Sequence, residues 1–242
     1  MRIDKFLSIT GKATRTEAKK AVRAKAVAVN GVAISKSDIQ IDPINDVITY
    51  FGEVVIYREH TYILMNKPDG VVSATEDGRD KTVIDLLPSD VRSDKLFPCG
   101  RLDKNTLGLM LITDDGNLAH ELLSPRSHVE KSYFFKSAEP ISNEDAERFE
   151  KGVTLADGYE TLPAKIELCG KGDEGIITLK EGKYHQIKRM LGALNNKIIH
   201  LERISFGPLT LDENLARGEW RYLTETEIEA LKEHKKKLTE QL

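Results

Sequence analysis

An apolar run, LMLIT at residues 109–113, lies between a loop-like stretch, GRLDKNTLG, and the turn signal DDG. Its length suits a buried strand bounded by turns. The glycine-bounded segment 100–108 then reads as a loop that delivers the chain into that strand. Asp103 sits just ahead of it, where an acidic side chain is held rigidly and partly shielded from water. Both properties suit a group that attacks a carbon or stabilises developing charge. Taken alone, Arg101 and Asp103 fit a second reading better: a turn cap with a surface pair across it.

Around this segment the order of elements is mixed. Thr14 and Glu17 have capping-box spacing and predict a helix to about Lys25; Asn30-Gly31 predicts a type I′ hairpin between β-prone runs, with a further strand at 47–51. TYILMN reads as a strand that leads through a Pro-Gly loop to a short helix near 83–87. Further strands are predicted at 131–135, 164–168 and 175–179, and another at IIHLERI. Ser142 and Asp145 cap one helix, a second runs from about Tyr184 to Leu194, and a last one starts at Thr224, capped with Glu227, and ends in the polar tail EHKKKLTEQL. Strands outnumber helices, so the fold class is α+β, with a largely antiparallel mixed sheet behind a small N-terminal module. The expected organisation is a module at 1–53, a linker at 54–60 and a larger domain at 61–242.

Charge separates these parts. Residues 1–36 carry nine basic side chains against two acidic ones, a net +7, whereas the whole chain nets −3. The remainder therefore carries −10, which points to a basic docking module on an acidic body. Arg15, Lys19, Lys20 and Arg23 fall on the predicted helix, where clustered cations meet a phosphate backbone; a merely solvated helix face is the alternative. Only Cys99 and Cys169 occur, so neither a disulfide framework nor a metal site is expected. No run reaches the roughly 20 apolar residues of a membrane-spanning helix. Charges at Arg2, Asp4 and Lys5 occupy the place of a signal peptide's apolar run. A cytoplasmic, monomeric protein without cofactor or metal is the expectation.

Two resemblances sharpen this reading. RIDKFLS, TRTEAKKAVRAKAV and the VNG hairpin resemble the S4 RNA-binding domain over about the first 50 residues. GRLDKNTLGLMLITDDG resembles the central motif of the pseudouridine synthases that modify ribosomal RNA and carry an S4 domain. MNKPDGVV, SPRSHVEKSY, EGKYHQIKRML and HLERISFGPLTL resemble that family's other motifs, in order and over nearly the whole chain.

The resemblance implies an isomerase that breaks the uracil N1–C1′ bond of a uridine, turns the base and joins C5 to C1′. Atoms are neither gained nor lost, which agrees with an expectation of no cofactor. It implies catalytic roles for Asp103, for Lys188 as the cation beside that carboxylate, with Arg189 ranked second, and for Tyr133 as a ring against the target base. Whether the carboxylate attacks C1′ or assists a glycal route stays open. Arg101, with Leu102 beside it, matches the arginine that fills the space of a flipped uridine. Lys67, Arg126, Lys131 and Lys183 are expected to meet the RNA backbone, and His185 and Gln186 to orient the loop or the RNA. The implied substrate is rRNA, with 16S rRNA favoured over 23S, either free or in an assembling small-subunit particle. Two other classes compete: an S4-type RNA-binding protein with an inert second domain, and a hydrolase pairing Asp103 with Asp114 or Asp115 across a glycosidic bond.

Overall fold

The computed structural model describes residues 1–57, 59–89 and 91–240, with only the backbone considered for 235–240. The chain forms two units, Met1–Glu59 and His60–Leu242.

In the first unit, Asn30 and Gly31 both adopt positive φ, 49° and 80°. This is the geometry of a type I′ turn, and it folds β1 (Val27–Val29) onto β2 (Val32–Ala33) with Val29 opposite Val32. β3 (Ile48–Tyr50) pairs with the other edge of β1, and β4 (Glu53–Val54) completes the sheet. Two helices precede it: α1 (Ile3–Ile9), unexpected from the sequence, and α2 (Arg15–Arg23). The Thr14–Glu17 capping box is formed in full at the start of α2. Ala18, Ala21 and Val22 of α2 pack on Ile3, Phe6 and Leu7 of α1, and all nine basic residues of positions 1–36 are exposed. The expected linker at 54–60 includes Arg58, outside the described residues. Its first residues belong to this unit, because Val54 pairs with Thr49 and Val55 is buried.

The second unit is built on β5 (Tyr62–Lys67), β6 (Phe97–Pro98), β7 (Leu107–Thr113), β8 (Lys131–Ser137), β9 (Lys165–Cys169), β10 (Glu174–Leu179), β11 (Ile198–Phe206), β12 (Leu209–Thr210) and β13 (Trp220–Tyr222). Its sheet runs β13-β5-β7-β11-β8-β10-β9, with β6 paired to β7 and β12 to β11. All pairings are antiparallel except β7 with β11. The LMLIT run is the buried strand its composition predicts. Leu109 and Leu111 enter one apolar cluster with Leu118, Leu122 and Leu231, and Met110 and Ile112 enter another with Ile63, Met65 and Val83. Gly108 is required at the parallel junction. It sits at φ +96°, and a Cβ there would lie 2.3 Å from the Arg203 carbonyl oxygen.

Four helices flank this sheet: α3 (Gly116–Leu123), α4 (Asn143–Lys151), α5 (Gln186–Ala193) and α6 (Glu225–Glu240). The Ser142 hydroxyl caps α4 by accepting from Asp145 N–H, and Asp115 caps α3, where the sequence predicts only a turn. The helix expected near 83–87 is a single 3-10 turn, Ile84–Leu86. α5 starts two residues later than expected, because His185 takes a left-handed conformation (φ 50°, ψ 34°) that no helix can include. α6 continues through most of the polar tail to Glu240.

At the start of α6, Thr224 and Glu227 form their capping box, and Arg221 of β13 donates to both Glu227 carboxylate oxygens at 2.8 and 2.9 Å. The Arg221 guanidinium holds the Glu227 carboxyl down at about 2, against an ordinary 4.5. A lowered carboxyl pKa means stability that is full above the ordinary value and is lost as pH falls toward 2. Glu227→Gln is therefore expected to cost about 1 kcal/mol at pH 7, or roughly 2–4 °C in Tm. In melting curves taken from pH 7 down to pH 3.5 the gap to the wild type should narrow below about pH 4.5; a constant gap would contradict the pairing.

Candidate active site

The parallel pairing of β7 and β11 decides where the site forms. Parallel neighbours have their starts at the same edge of a sheet, so loop 100–106, which enters β7, and helix α5, which precedes β11, emerge together. Asp103 on that loop and Lys188 on that helix meet there: Lys188 Nζ donates to Asp103 Oδ2 at 2.7 Å. The same ammonium donates to Asn105 Oδ1 at 2.7 Å, and His185 Nε2 lies 3.4 Å from Asp103 Oδ1. Each carboxylate oxygen thus faces its own basic group, and the Asp103 side chain is still 26% exposed to the cleft.

The loop that carries Asp103 is tied on both sides. Ser73 Oγ accepts from Leu102 N–H and donates to Leu102 O. Lys67 sends its ammonium to three carbonyls, of Pro68, Lys104 and Thr106, at 3.1, 3.1 and 2.9 Å. Lys67 is fully buried, which pushes its pKa down to about 8. It is consequently no RNA contact: it is the internal clamp of the Asp103 loop, and the expectation from sequence is corrected.

Facing the loop, residues 181–185 are fixed by Glu181 and Gln186. Glu181 accepts from Tyr159 OH, Leu162 N–H and Gln186 Nε2, and Gln186 Oε1 accepts from Lys183 N–H. With Gln186 only 4% exposed and so engaged, it orients the loop and does not reach out to RNA. The cleft between the two segments is lined by Arg101, Leu102, Asp103, Tyr133, His185 and Lys188 among others. Arg101 is exposed at its mouth, Leu102 is buried, and Tyr133 stands on β8 opposite Ile177 and Arg203.

Other expected residues lie elsewhere. Lys131 is half-buried at the start of β8, where it donates to Val129 O at 2.7 Å, and its pKa is pushed down to about 8, chiefly by burial and then by Arg203. Arg126 is exposed on the 3-10 turn Pro125–Ser127, away from the cleft lining. Arg189 pairs with Asp157, leaving Lys188 as the cation on the carboxylate. Arg15, Lys19, Lys20 and Arg23 are exposed on α2 of the first unit. Asp114 and Asp115 lie past the far end of β7, about 20 Å along the strand from its start. There they bind Thr61 N–H and cap α3. Two carboxylates cleaving a glycosidic bond stand about 5–9.5 Å apart, so the hydrolase reading is excluded. Among the described residues, no cluster of His, Cys, Asp and Glu could hold a metal, and no helix is long and apolar enough to cross a membrane.

A carboxylate fixed between two basic groups, in a cleft with a tyrosine and a cationic mouth, suits a planar, polyanionic substrate. Comparison with known proteins agrees. The model of the RNA pseudouridylate synthases matches residues 61–193, and that of the S4 domain matches residues 1–48. The chain belongs to the RNA pseudouridylate synthase family. It is 46% identical over 237 residues to a Bacillus subtilis protein named as an uncharacterized RNA pseudouridine synthase, covering 96% of this chain and 99% of that one. The ribosomal small subunit pseudouridine synthases A of Vibrio cholerae and Escherichia coli are 41% and 38% identical, over 96% and 94% of this chain and 99% and 98% of theirs. A crystal structure of a pseudouridylate synthase superposes with a TM-score of 0.67 at 37% identity, covering 96% of this chain and 99% of that one.

In this pseudouridylate synthase Asn105, Ser73 and Glu181 are parts of the site that the sequence did not single out. Asn105 stands two residues after Asp103, close enough for its position alone to have marked it. Ser73 acts through Leu102, 29 residues along the chain, and nothing local marks it; Glu181 opens the motif EGKYHQIKRML, but its partners Tyr159 and Leu162 lie 22 and 19 residues away. Lys67→Met would keep the side chain's bulk and leave its carbonyl partners without that donor. A loss of about 2–3 kcal/mol is expected. Melting should show a clearly lower Tm with rRNA affinity unchanged; a weakened affinity at unchanged Tm would instead make Lys67 a backbone contact.

Proposed function

We propose that this chain isomerises one uridine of 16S rRNA to pseudouridine, with Asp103 as the catalytic carboxylate. The observation that carries this reading is the Lys188–Asp103 pair at 2.7 Å in a cleft shared with Tyr133 and Arg101. The target uridine is flipped out of its stack, Arg101 fills the space it leaves, and Tyr133 lies against the uracil. Asp103 works at C1′ or on the ring while C1′ passes from N1 to C5, and Lys188 and His185 hold the carboxylate in place. The small-subunit substrate is supported by the relatives named for that subunit, which match along nearly their whole length. The exposed cations of α2 give the first unit a surface for phosphate backbone, in free rRNA or an assembling particle. The protein acts as a monomer in the cytoplasm, where rRNA is made.

Pseudouridine mapped across 16S and 23S rRNA, in cells lacking this protein and in cells given it back, checks the assignment. One 16S position should lose its modification and regain it. Loss confined to 23S rRNA would move the substrate to the large subunit, and no loss in either would refute the activity.

A further inference from the structure

Between two residues that line the cleft, Lys183 and His185, the chain carries an aromatic ring that the proposed chemistry leaves unused. Tyr184 is 73% exposed, the most open aromatic side chain among the described residues. Single exposed rings are ordinary on protein surfaces, but this one is held in place. It stacks on His185 with ring centroids 3.8 Å apart and planes 18° apart. His185 is itself fixed by its left-handed backbone and by its approach to Asp103 Oδ1 at 3.4 Å. The Tyr184 carbonyl accepts from Arg189, which anchors the backbone from the other side. One face of the ring is therefore spent on His185, and the other is presented to solvent one residue from a contact of the catalytic carboxylate.

We infer that this open face is a stacking platform for a nucleobase next to the target uridine in the RNA. The inference rests on the RNA-uridine reading above. Flipping a uridine strips its neighbour of a stacking partner, and a flat ring next to the pocket-lining His185 replaces it. The surroundings fit nucleic acid: Lys183 precedes Tyr184 in sequence, and Lys188 and Arg189 lie about one helical turn further on. Orientation of the platform and placement of Asp103 share one residue, His185, so a seated neighbour base bears on the same residue that touches the carboxylate. Tyr184 is a substrate-positioning residue and takes no part in bond making.

The test uses the full-length enzyme and 16S rRNA in steady-state pseudouridine formation. Tyr184→Ala should raise KM about ten-fold with kcat within about two-fold, and Tyr184→Phe, which keeps the ring, should restore KM. Splint-ligated 16S rRNAs carrying an abasic residue on the 5′ or the 3′ side of the modified uridine identify the occupant. The wild-type enzyme should lose a similar factor on one of the two, and Tyr184→Ala should lose nothing more on that RNA. The wild-type arm stands whether or not a variant folds. No loss on either abasic RNA, an unchanged KM for Tyr184→Ala, or a fall in kcat alone would overturn the platform. Wild-type turnover on unmodified 16S rRNA, measured in the same series, separates failure of the platform from failure of the substrate assignment.

Discussion

The close approach of β7 and β11 at Gly108 is the constraint from which the rest of the site follows. Only a residue without Cβ lets the two strands lie side by side here, since the Arg203 backbone occupies the place of any side chain. This is the single parallel pairing described in an otherwise antiparallel sheet. It brings to one edge two segments whose functional residues are 85 positions apart in sequence. A carboxylate and an ammonium delivered by a tied loop and a helix meet with little freedom left to lose.

Cations hold this architecture from inside as well as at the surface. Lys67 and Arg203 are internal and Lys131 is half-buried, and each spends donors on backbone carbonyls: the Asp103 loop for Lys67, Val129 for Lys131, Leu109 for Arg203. Arg203 also lies 5.1 Å from the centre of the Phe206 ring. Buried charge is tolerable only where hydrogen bonds replace water, and carbonyls at the strand starts supply them. The surface cations are arranged differently. Those of the first unit are exposed and suit a phosphate backbone, whereas Arg101 and Lys183 stand at the cleft.

What could be read from sequence was what is local. The capping boxes at Thr14 and Thr224, the Ser142 cap and the Asn30-Gly31 turn each need only residues within a few positions of one another, and all formed. The buried strand at LMLIT was legible from composition. The sheet order was not, because the parallel pairing joins segments with three strands between them. Lys67 was misread for the same reason: two of its carbonyl partners lie 37 and 39 residues away, so a lysine in a polar loop gave no sign of burial. The late start of α5 reflects His185, whose left-handed backbone carries its ring to Asp103. There the local helix signal yields to the geometry of the site.

If the carboxylate delivered by that junction performs the chemistry, its charge and not its bulk is what the reaction needs. The most direct measurement is single-turnover pseudouridine formation on 16S rRNA by Asp103→Asn, with rRNA affinity measured in parallel. The expected result is no detectable pseudouridine with affinity within about three-fold of wild type, as for loss of an interaction made only during reaction. A rate within about ten-fold of the wild-type enzyme would contradict the assignment of Asp103.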